Sequence, residues 1–329
     1  MSPQLQLTEA RVGARLLGTG SYLPERVVTN DELAQTLETD DQWIRDRVGI
    51  VSRHRAAPGE TLVDLAAAAG RAAVADSGLQ PADIDAVIVA TCTPPSPVPN
   101  VAAQVATAVG AADVAAFDLN TACAGFCYST AVAADMVRSG TATNVLVVGA
   151  EKFSDWIDPA DRSTAIIFAD GAGAAVVGPA TAEQGPAIGP VAWGSAGDQY
   201  SVIIIPDRHS FVQQEGQAVF RWATTKVAPV ALQALALAGL RPHDVDVLVP
   251  HQANLRILES LAKALRKAGA REDMVLARDI VHSGNTSAAS VPLALDHLRV
   301  GGDARSGQVA LLVGFGAGLA FAAQAVVLP

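Results

Sequence analysis

A duplicated α/β fold is what this sequence predicts. Strand-like apolar runs alternate with Ala-rich helical stretches, the pattern of sheets covered on both faces. The order of elements in the first half then returns in the second, which is the signature of an internal repeat. In the first copy, residues 84–91 form an apolar run of strand length and 101–110 a helical stretch. A second strand covers 115–119, after which Cys123 opens a helix running to about Arg138. Strands at 144–149 and 172–177 complete this copy. The second reads strand 245–249, helix 254–268, strand 274–277 and a helix after Asn285, closing with strands at 309–313 and 320–328. Spacing supports the match, since Asp85 precedes Cys123 by 38 positions and Asp246 precedes Asn285 by 39. The glycine turns 170–173 and 314–318 are read as counterparts. The halves are expected to divide as 1–180, carrying Cys123, and 181–329, carrying His251 and Asn285.

With 329 residues the chain can bury a large core. Half its residues are hydrophobic and 17% are charged, which describes a compact enzyme-like globule rather than a disordered or fibrous chain. A net charge of −10 argues against a general nucleic-acid surface, which needs clustered positive charge. Three cysteines, an odd number, speak against a disulfide framework and fit a reducing compartment, so a cytoplasmic location is expected. Cys123 and Cys127 could share a helix face, but two thiols fall short of the four ligands of a structural zinc site, and no metal is expected. Met1 to Gly13 has no apolar core and carries Glu9, unlike a secretory signal. Residues 309–329 carry no charge and are long enough to cross a bilayer. Gly314, Gly316 and Gly318 split them into two short β-prone runs that suit a buried hairpin, so no membrane span is expected.

Cys123 stands where an apolar strand pattern gives way to a helical one. A thiol at the first turn of a helix sits among unpaired N–H groups at the positive end of the helix dipole, which favour the thiolate. Taken alone, it reads equally as a nucleophile or as a small buried core residue. Two later segments favour the nucleophile: Val-Pro-His-Gln-Ala-Asn at 249–254 and Ser-Gly-Asn-Thr-Ser-Ala-Ala at 283–289. If the copies pack about a pseudo-twofold axis, Cys123 and Asn285 occupy equivalent places and His251 lies at the end of a strand beside them. A thiolate attacks a thioester carbonyl to form an acyl-enzyme. His251 and Asn285 can each present an N–H to one carbonyl oxygen, and the glycine turn can offer backbone N–H groups to another. When a malonyl thioester loses carbon dioxide, charge collects on the thioester oxygen as an enolate, which two donors would stabilise without any acidic residue. The rival use of Cys, His and Asn is a papain-like hydrolase. The tryptophan-flanked cysteine of that family is missing, and the duplicated pattern does not suit it.

On these residues the chain resembles the β-ketoacyl-[acyl-carrier-protein] synthase III family, condensing enzymes of the thiolase fold that prime fatty-acid synthesis. The motifs run in family order: Gly-Thr-Gly-Ser-Tyr-Leu-Pro at 18–24, Asp-Gln-Trp-Ile at 41–44, Arg-Val-Gly-Ile at 47–50, Ala-Cys-Ala-Gly-Phe at 122–126, then 249–254 and 284–287. The resemblance implies a thiolase-like, five-layered α-β-α-β-α architecture with pseudo-twofold related halves, and a homodimer. It implies that Cys123 is acylated by a short acyl-CoA and that His251 with Asn285 supports decarboxylation of malonyl-carrier protein, with no cofactor. The N–H groups of Cys123 and Ala317 would form an oxyanion hole next to Gly316, with Phe315 beside the thiol. Coenzyme A would stack its adenine on Trp43 and Arg162, with Arg47 near the phosphates and Gly216, Phe220 and Asn254 along the pantetheine tunnel. A guanidinium and an indole can indeed sandwich a base, although Trp43 alone reads as a half-buried helix anchor. Acyl carrier protein is acidic, so docking needs a local basic patch. Arg256, Lys263 and Lys267 share one face of the helix after His251, with Arg221 beside them; by itself such a stripe is a solvated helix face.

Several positions depart from the pattern. Ala317 stands where relatives often have glycine, a change that keeps the N–H. Relatives place the acyl pocket around the segments 92–100 and 194–215, and Val98 stands where several carry phenylalanine, so more room for the primer is expected. Residues 162–216 are shorter than in some relatives. Because apolar contacts separate one methylene by only about 1 to 3 kcal/mol, the primer is not fixed by the sequence. Two rivals share the fold: a priming or acyl-transferring enzyme of a polyketide or other specialised pathway, and a non-catalytic subunit, against which the retained Cys123, His251 and Asn285 speak.

Overall fold

A computed structural model describes residues 13–329 of the chain. The leader reading of Met1 to Gly13 therefore lies, but for Gly13, outside the described residues. After β1 (Ala14–Tyr22), a short strand pair, β2 (Arg26–Thr29) with β3 (Ser52–Arg55), encloses α1 (Asn30–Ala34) and α2 (Asp41–Val48). Then come α3 (Leu62–Ser77), β4 (Ala86–Ala90), α4 (Val101–Val109), β5 (Ala115–Leu119), α5 (Gly125–Arg138), β6 (Val145–Lys152), α6 (Arg162–Ala165) and β7 (Asp170–Pro179). The second half holds β8 (Ala192–Ser195), the paired β9 (Ile203–Ile204) and β10 (Gln213–Gln214), and α7 (Gly216–Leu237). It continues through β11 (Val247–Pro250), α8 (Leu255–Lys267), β12 (Val275–Leu276), α9 (Ile280–Ser283), α10 (Ser290–Val300), β13 (Val309–Gly316) and β14 (Ala320–Val327).

Two five-stranded sheets result, ordered β1-β7-β6-β4-β5 and β8-β14-β13-β11-β12. In the first, β4 runs parallel to β5 and β6, and β7 antiparallel to β6 and β1. The second repeats each of these relations. Alternate residues of each strand face opposite layers. Ile88 and Val147 join Phe126 and Leu295 between the sheets, Val87 and Val148 pack on α3 and α4, and Leu248 and Leu311 pack under α7 and α8. The layers are therefore α3/α4, first sheet, α5/α10, second sheet, α7/α8, the duplicated thiolase fold. Burial on both faces explains why β4 reads Ala-Val-Ile-Val-Ala with no polar position. Each large apolar side chain so buried contributes roughly 1.5 to 3 kcal/mol.

The uncharged C-terminal stretch forms the antiparallel pair β13–β14, and among the described residues no helix is long and apolar enough to cross a membrane. The repeat itself is real, but its register differs from the one read from spacing. Asp85 and Asp246 are counterparts: each donates its N–H to a carbonyl at the start of the third strand of its sheet, Asn144 just before β6 and Val309 at the first position of β13, and accepts that residue's N–H through its carboxylate. The short helical turn 122–124 before α5 then matches the turn 287–289 before α10, and both open on a non-glycine residue in the left-handed region, Ala122 at φ 45° and Ser287 at φ 48°. Cys123 is thus equivalent to Ala288, not Asn285. Loop lengths had compensated: ten residues separate β4 from α4 where four separate β11 from α8, while α9 lengthens the path from β12 to the second turn. Gly314 is likewise matched by Gly149 in β6, since the run 170–173 opens β7.

Candidate active site

Cys123 is carried by the turn 122–124, between β5 and α5, and is 7% exposed. Its sulfur approaches β13 so closely that a Cβ at residue 316 would lie 2.6 Å from Cys123 Cβ and 2.8 Å from Sγ. Only glycine fits there. Burial pushes the thiol up to about 11, and the nearby Glu151 charge adds to the rise, against the lowering effect of the Ser287 hydroxyl and of the N–H groups of Ala317 and Cys123 itself. The thiolate preference expected from a helix start is thus outweighed by desolvation, and α5 proper begins two residues later, at Gly125.

His251 follows β11 and extends its ladder, donating its N–H to Val313 O at 2.7 Å. The ring is 2% exposed, with Phe315 edge-on at 5.3 Å between centroids. Nδ1 lies 2.7 Å from Ser290 Oγ, which accepts the Gln252 N–H at 3.2 Å. A Ser290 hydroxyl that donates to Nδ1 places the ring's own proton on Nε2, a donor. Burial pulls the imidazole down to about 3, so it is neutral near pH 7.

Asn285 stands on the loop before the second turn, in a bridge to the first half: its N–H donates to Ile167 O and its carbonyl accepts from Ala169 N, both at 2.9 Å. Its Oδ1 accepts the Ser287 N–H at 2.8 Å. The carboxamide is fixed by that bond, and its NH2 end remains as the free donor.

Cys123, His251, Asn285, Phe315, Gly316 and Ala317 all line one cavity of about 1360 Å³. Trp43, Arg47, Arg162, Gly216, Phe220 and Asn254 line the same cavity. Arg162 lies over the Trp43 ring with Cζ 4.5 Å from its centroid, and Arg47 approaches it at 5.5 Å. Asn254 caps α8 through the Arg256 N–H and donates Nδ2 to Arg47 O at 3.2 Å, tying the two halves together. Of the basic residues, Arg221 and Arg256 line the cavity, and Arg256 sits 5.4 Å from the Phe220 ring. Lys263 and Lys267 are exposed farther along α8 and do not reach the lining.

One expectation fails. Val98 is 78% exposed and does not line the cavity, so a smaller residue there makes no extra room within this chain. The walls come instead from Pro94 to Pro97 on one side and Ile203 to Ile205 on the other. Sequence reasoning also missed Ser290, one residue beyond the 283–289 motif, and Glu151, whose charge at the end of an otherwise apolar strand was the available signal.

The description 3-oxoacyl-[acyl-carrier-protein] synthase III matches residues 117–197, and its C-terminal counterpart matches 235–328. A Mycobacterium avium protein described as mycobacterial β-ketoacyl-[acyl-carrier-protein] synthase III is 49% identical over 99% of each chain. The chain belongs to the 3-oxoacyl-[acyl-carrier-protein] synthase III family. Within this family it is also similar to β-ketoacyl-[acyl-carrier-protein] synthase III 1 of Streptomyces coelicolor, 46% identical over 96% of each chain. Among solved structures, the priming β-ketosynthase of the R1128 polyketide pathway superimposes with a TM-score of 0.94 at 43% identity, covering 99% of both chains. The synthase III of Pseudomonas aeruginosa gives 0.90 at 40% identity, over 96% of this chain and 98% of that one.

Proposed function

We propose that this synthase III condenses a short acyl-CoA with malonyl-carrier protein through an acyl-Cys123 intermediate. The observation that carries the reading is one cavity holding a thiol together with two fixed neutral donors, His251 Nε2–H and the Asn285 NH2. In the first half-reaction the sulfur attacks the primer thioester, and the N–H groups of Cys123 and Ala317 receive the carbonyl oxygen as it becomes anionic. Gly316 and Phe315 hold this strand end against the thiol. In the second, malonyl thioester loses carbon dioxide and its enolate oxygen rests between His251 and Asn285. A neutral imidazole donates there without first losing a proton, and no carboxylate lies between these donors to oppose the charge. The carbanion then attacks the acyl carbon, and the carbon–sulfur bond breaks to release Cys123 as a thiolate.

Trp43 and Arg162 are placed to clasp the adenine, Arg47 the phosphates, and Gly216, Phe220 and Asn254 the pantetheine arm. Arg221 and Arg256 at the mouth, with Lys263 and Lys267 beyond, give an acidic carrier protein a local positive surface on a chain of net charge −10. The halves are read as 1–180 and 181–329, working as a cytoplasmic homodimer with no cofactor or metal. An edge strand supports the dimer: among the described residues β5 pairs with β4 alone.

Intact-mass measurement after incubation with mixed acyl-CoAs tests the first half-reaction: a single acyl addition, absent in Cys123→Ala, is expected, and no addition would refute it. The likeness to a priming ketosynthase of a polyketide pathway favours a second reading, transfer of the acyl group within a specialised pathway. Acyl transfer to carrier protein without carbon dioxide release would select that reading.

A further inference from the structure

Arg53, on β3, is fully buried, does not line the cavity and has no part in the chemistry above. Its Nη1 donates to Val28 O at 3.2 Å, and its Nη2 to Asn30 Oδ1 at 2.8 Å and to Ile166 O at 3.0 Å. All three acceptors are neutral oxygens, and Nε meets no acceptor among the described residues. Burial pulls the guanidinium down to about 10, so it is still charged near pH 7. Holding a buried cation on neutral oxygens costs stability, so the reason for an arginine here lies in what it fixes in place.

The chain that carries Arg53 runs along the chain that leads to Asn285. The Val51 N–H donates to Val281 O at 2.7 Å, and Ser52 Oγ donates to His282 O at 3.0 Å. Arg53 itself then meets Gly284, which sits at φ 73°: a Cβ at 284 would lie 2.8 Å from Arg53 Cβ and 2.8 Å from Ala169 Cβ. Asn285 comes next, with its backbone bridged to Ile167 and Ala169. Arg53 therefore touches both sides of that bridge, Gly284 through its Cβ and Ile166 through its guanidinium. The other end of the clamp is firm, because Asn30 donates Nδ2 to Asp41 Oδ1 and to Ile50 O, each at 2.8 Å. We infer that Arg53 sets the position of the Asn285 carboxamide and so serves the condensation step without touching the substrate. A planar fork of fixed geometry suits that task, since it can bind three separate segments at once. Arg53 is a positioning residue.

The inference rests on the reading of Asn285 as an enolate donor, and a double-mutant cycle tests the two separately. Arg53→Met keeps an apolar stem and loses all three bonds. With single-turnover condensation counted per acyl-Cys123 formed, it is expected to slow condensation by about ten- to a hundredfold, the cost of a displaced donor. Acylation at saturating acyl-CoA, followed by intact mass, is expected to stay within about twofold. In an Asn285→Ala background no carboxamide remains to be placed, so the same change is expected to slow condensation by less than about twofold further. Arg53→Lys keeps the charge without the fork; it is expected to show a smaller loss of the same kind, and it completes the cycle if Arg53→Met does not fold. A folded Arg53 variant that condenses at the wild-type rate, that slows acylation as much as condensation, or whose loss multiplies in full with that of Asn285→Ala overturns the positioning role and leaves the reading of Asn285 standing. Undiminished condensation in Asn285→Ala alone overturns that reading and the inference with it.

Discussion

The turns at 122–124 and 287–289 are one backbone device used twice, and each presses on the other half's sheet. The first lies over Gly314 and Gly316 of β13, and the second over Gly149 and Glu151 of β6. A Cβ at Gly314 would meet Ala124 Cα at 2.9 Å, and one at Gly149 would meet the Ala288 carbonyl oxygen at 2.3 Å. That close approach is shared, but the next contact differs. Where the first turn sets Cys123 against a bare glycine, the second sets Ala288 against a buried carboxyl. Duplication supplied two equal seats, and the side chains put a thiol on one and set a buried carboxyl beside the other.

Acid should separate the surroundings of these turns most strongly, through His251 near the first and Glu151 against the second. The His251 ring has its ordinary value of 6.5 in the unfolded chain and about 3 when folded, so between those values only the unfolded chain binds the proton. Stability contributed by the buried neutral ring is complete above pH 6.5 and is lost as pH falls toward 3, about 5 kcal/mol over the whole window. Glu151, shifted upward, contributes in the opposite sense: its share is present at low pH and is lost as pH rises through its folded value. Urea unfolding at pH 4.5 and 7 should show most of the acid loss vanish in His251→Gln, and an unchanged slope would deny that the ring is neutral when folded.

Next in size is Asn285→Ala. Loss of one enolate donor should slow condensation by about a hundred- to a thousandfold, while acylation of Cys123, which does not use that donor, changes little. Single-turnover acylation and full turnover separate the two steps. Gly316→Ala should do the reverse, cutting acylation by about a hundredfold because the new methyl displaces the sulfur. Its counterpart Gly149→Ala should instead lower stability by about 1 to 3 kcal/mol, seen as a reduced denaturant midpoint. The smallest effect is expected of Ser290→Ala, about tenfold in the condensation kcat, from freeing the imidazole to adopt the wrong tautomer. A larger loss in acylation than in condensation would contradict that role.

β4, buried on both faces, was legible because nothing polar interrupts it, and it lies inside 84–91; β5 coincides with 115–119 although Asp118 interrupts it and none of its residues is fully buried. The pairing of copies was legible as a pattern but slipped in register, because a long loop after β4 and an extra helix before the second turn offset each other in the count from Asp85 and Asp246. Lining residues that belong to motifs, such as Trp43 and Asn254, were found. Ile203 to Ile205 fall inside the segment 194–215 that the resemblance gave, but were not singled out within it, since a two-residue strand carries no periodicity. The raised thiol of Cys123 was also invisible, because helix-start electrostatics can be read locally whereas burial depends on the opposite half of the molecule.

Residue 316 admits no side chain, and the two donors are clamped by Ser290 and Ser287, so the chemistry is locked into the interior of the two sheets. The cavity walls at 94–97 and β9, by contrast, are short segments that belong to neither large sheet. Evolution can therefore retune what this enzyme accepts by editing expendable loops, while the reaction it performs stays frozen in the scaffold.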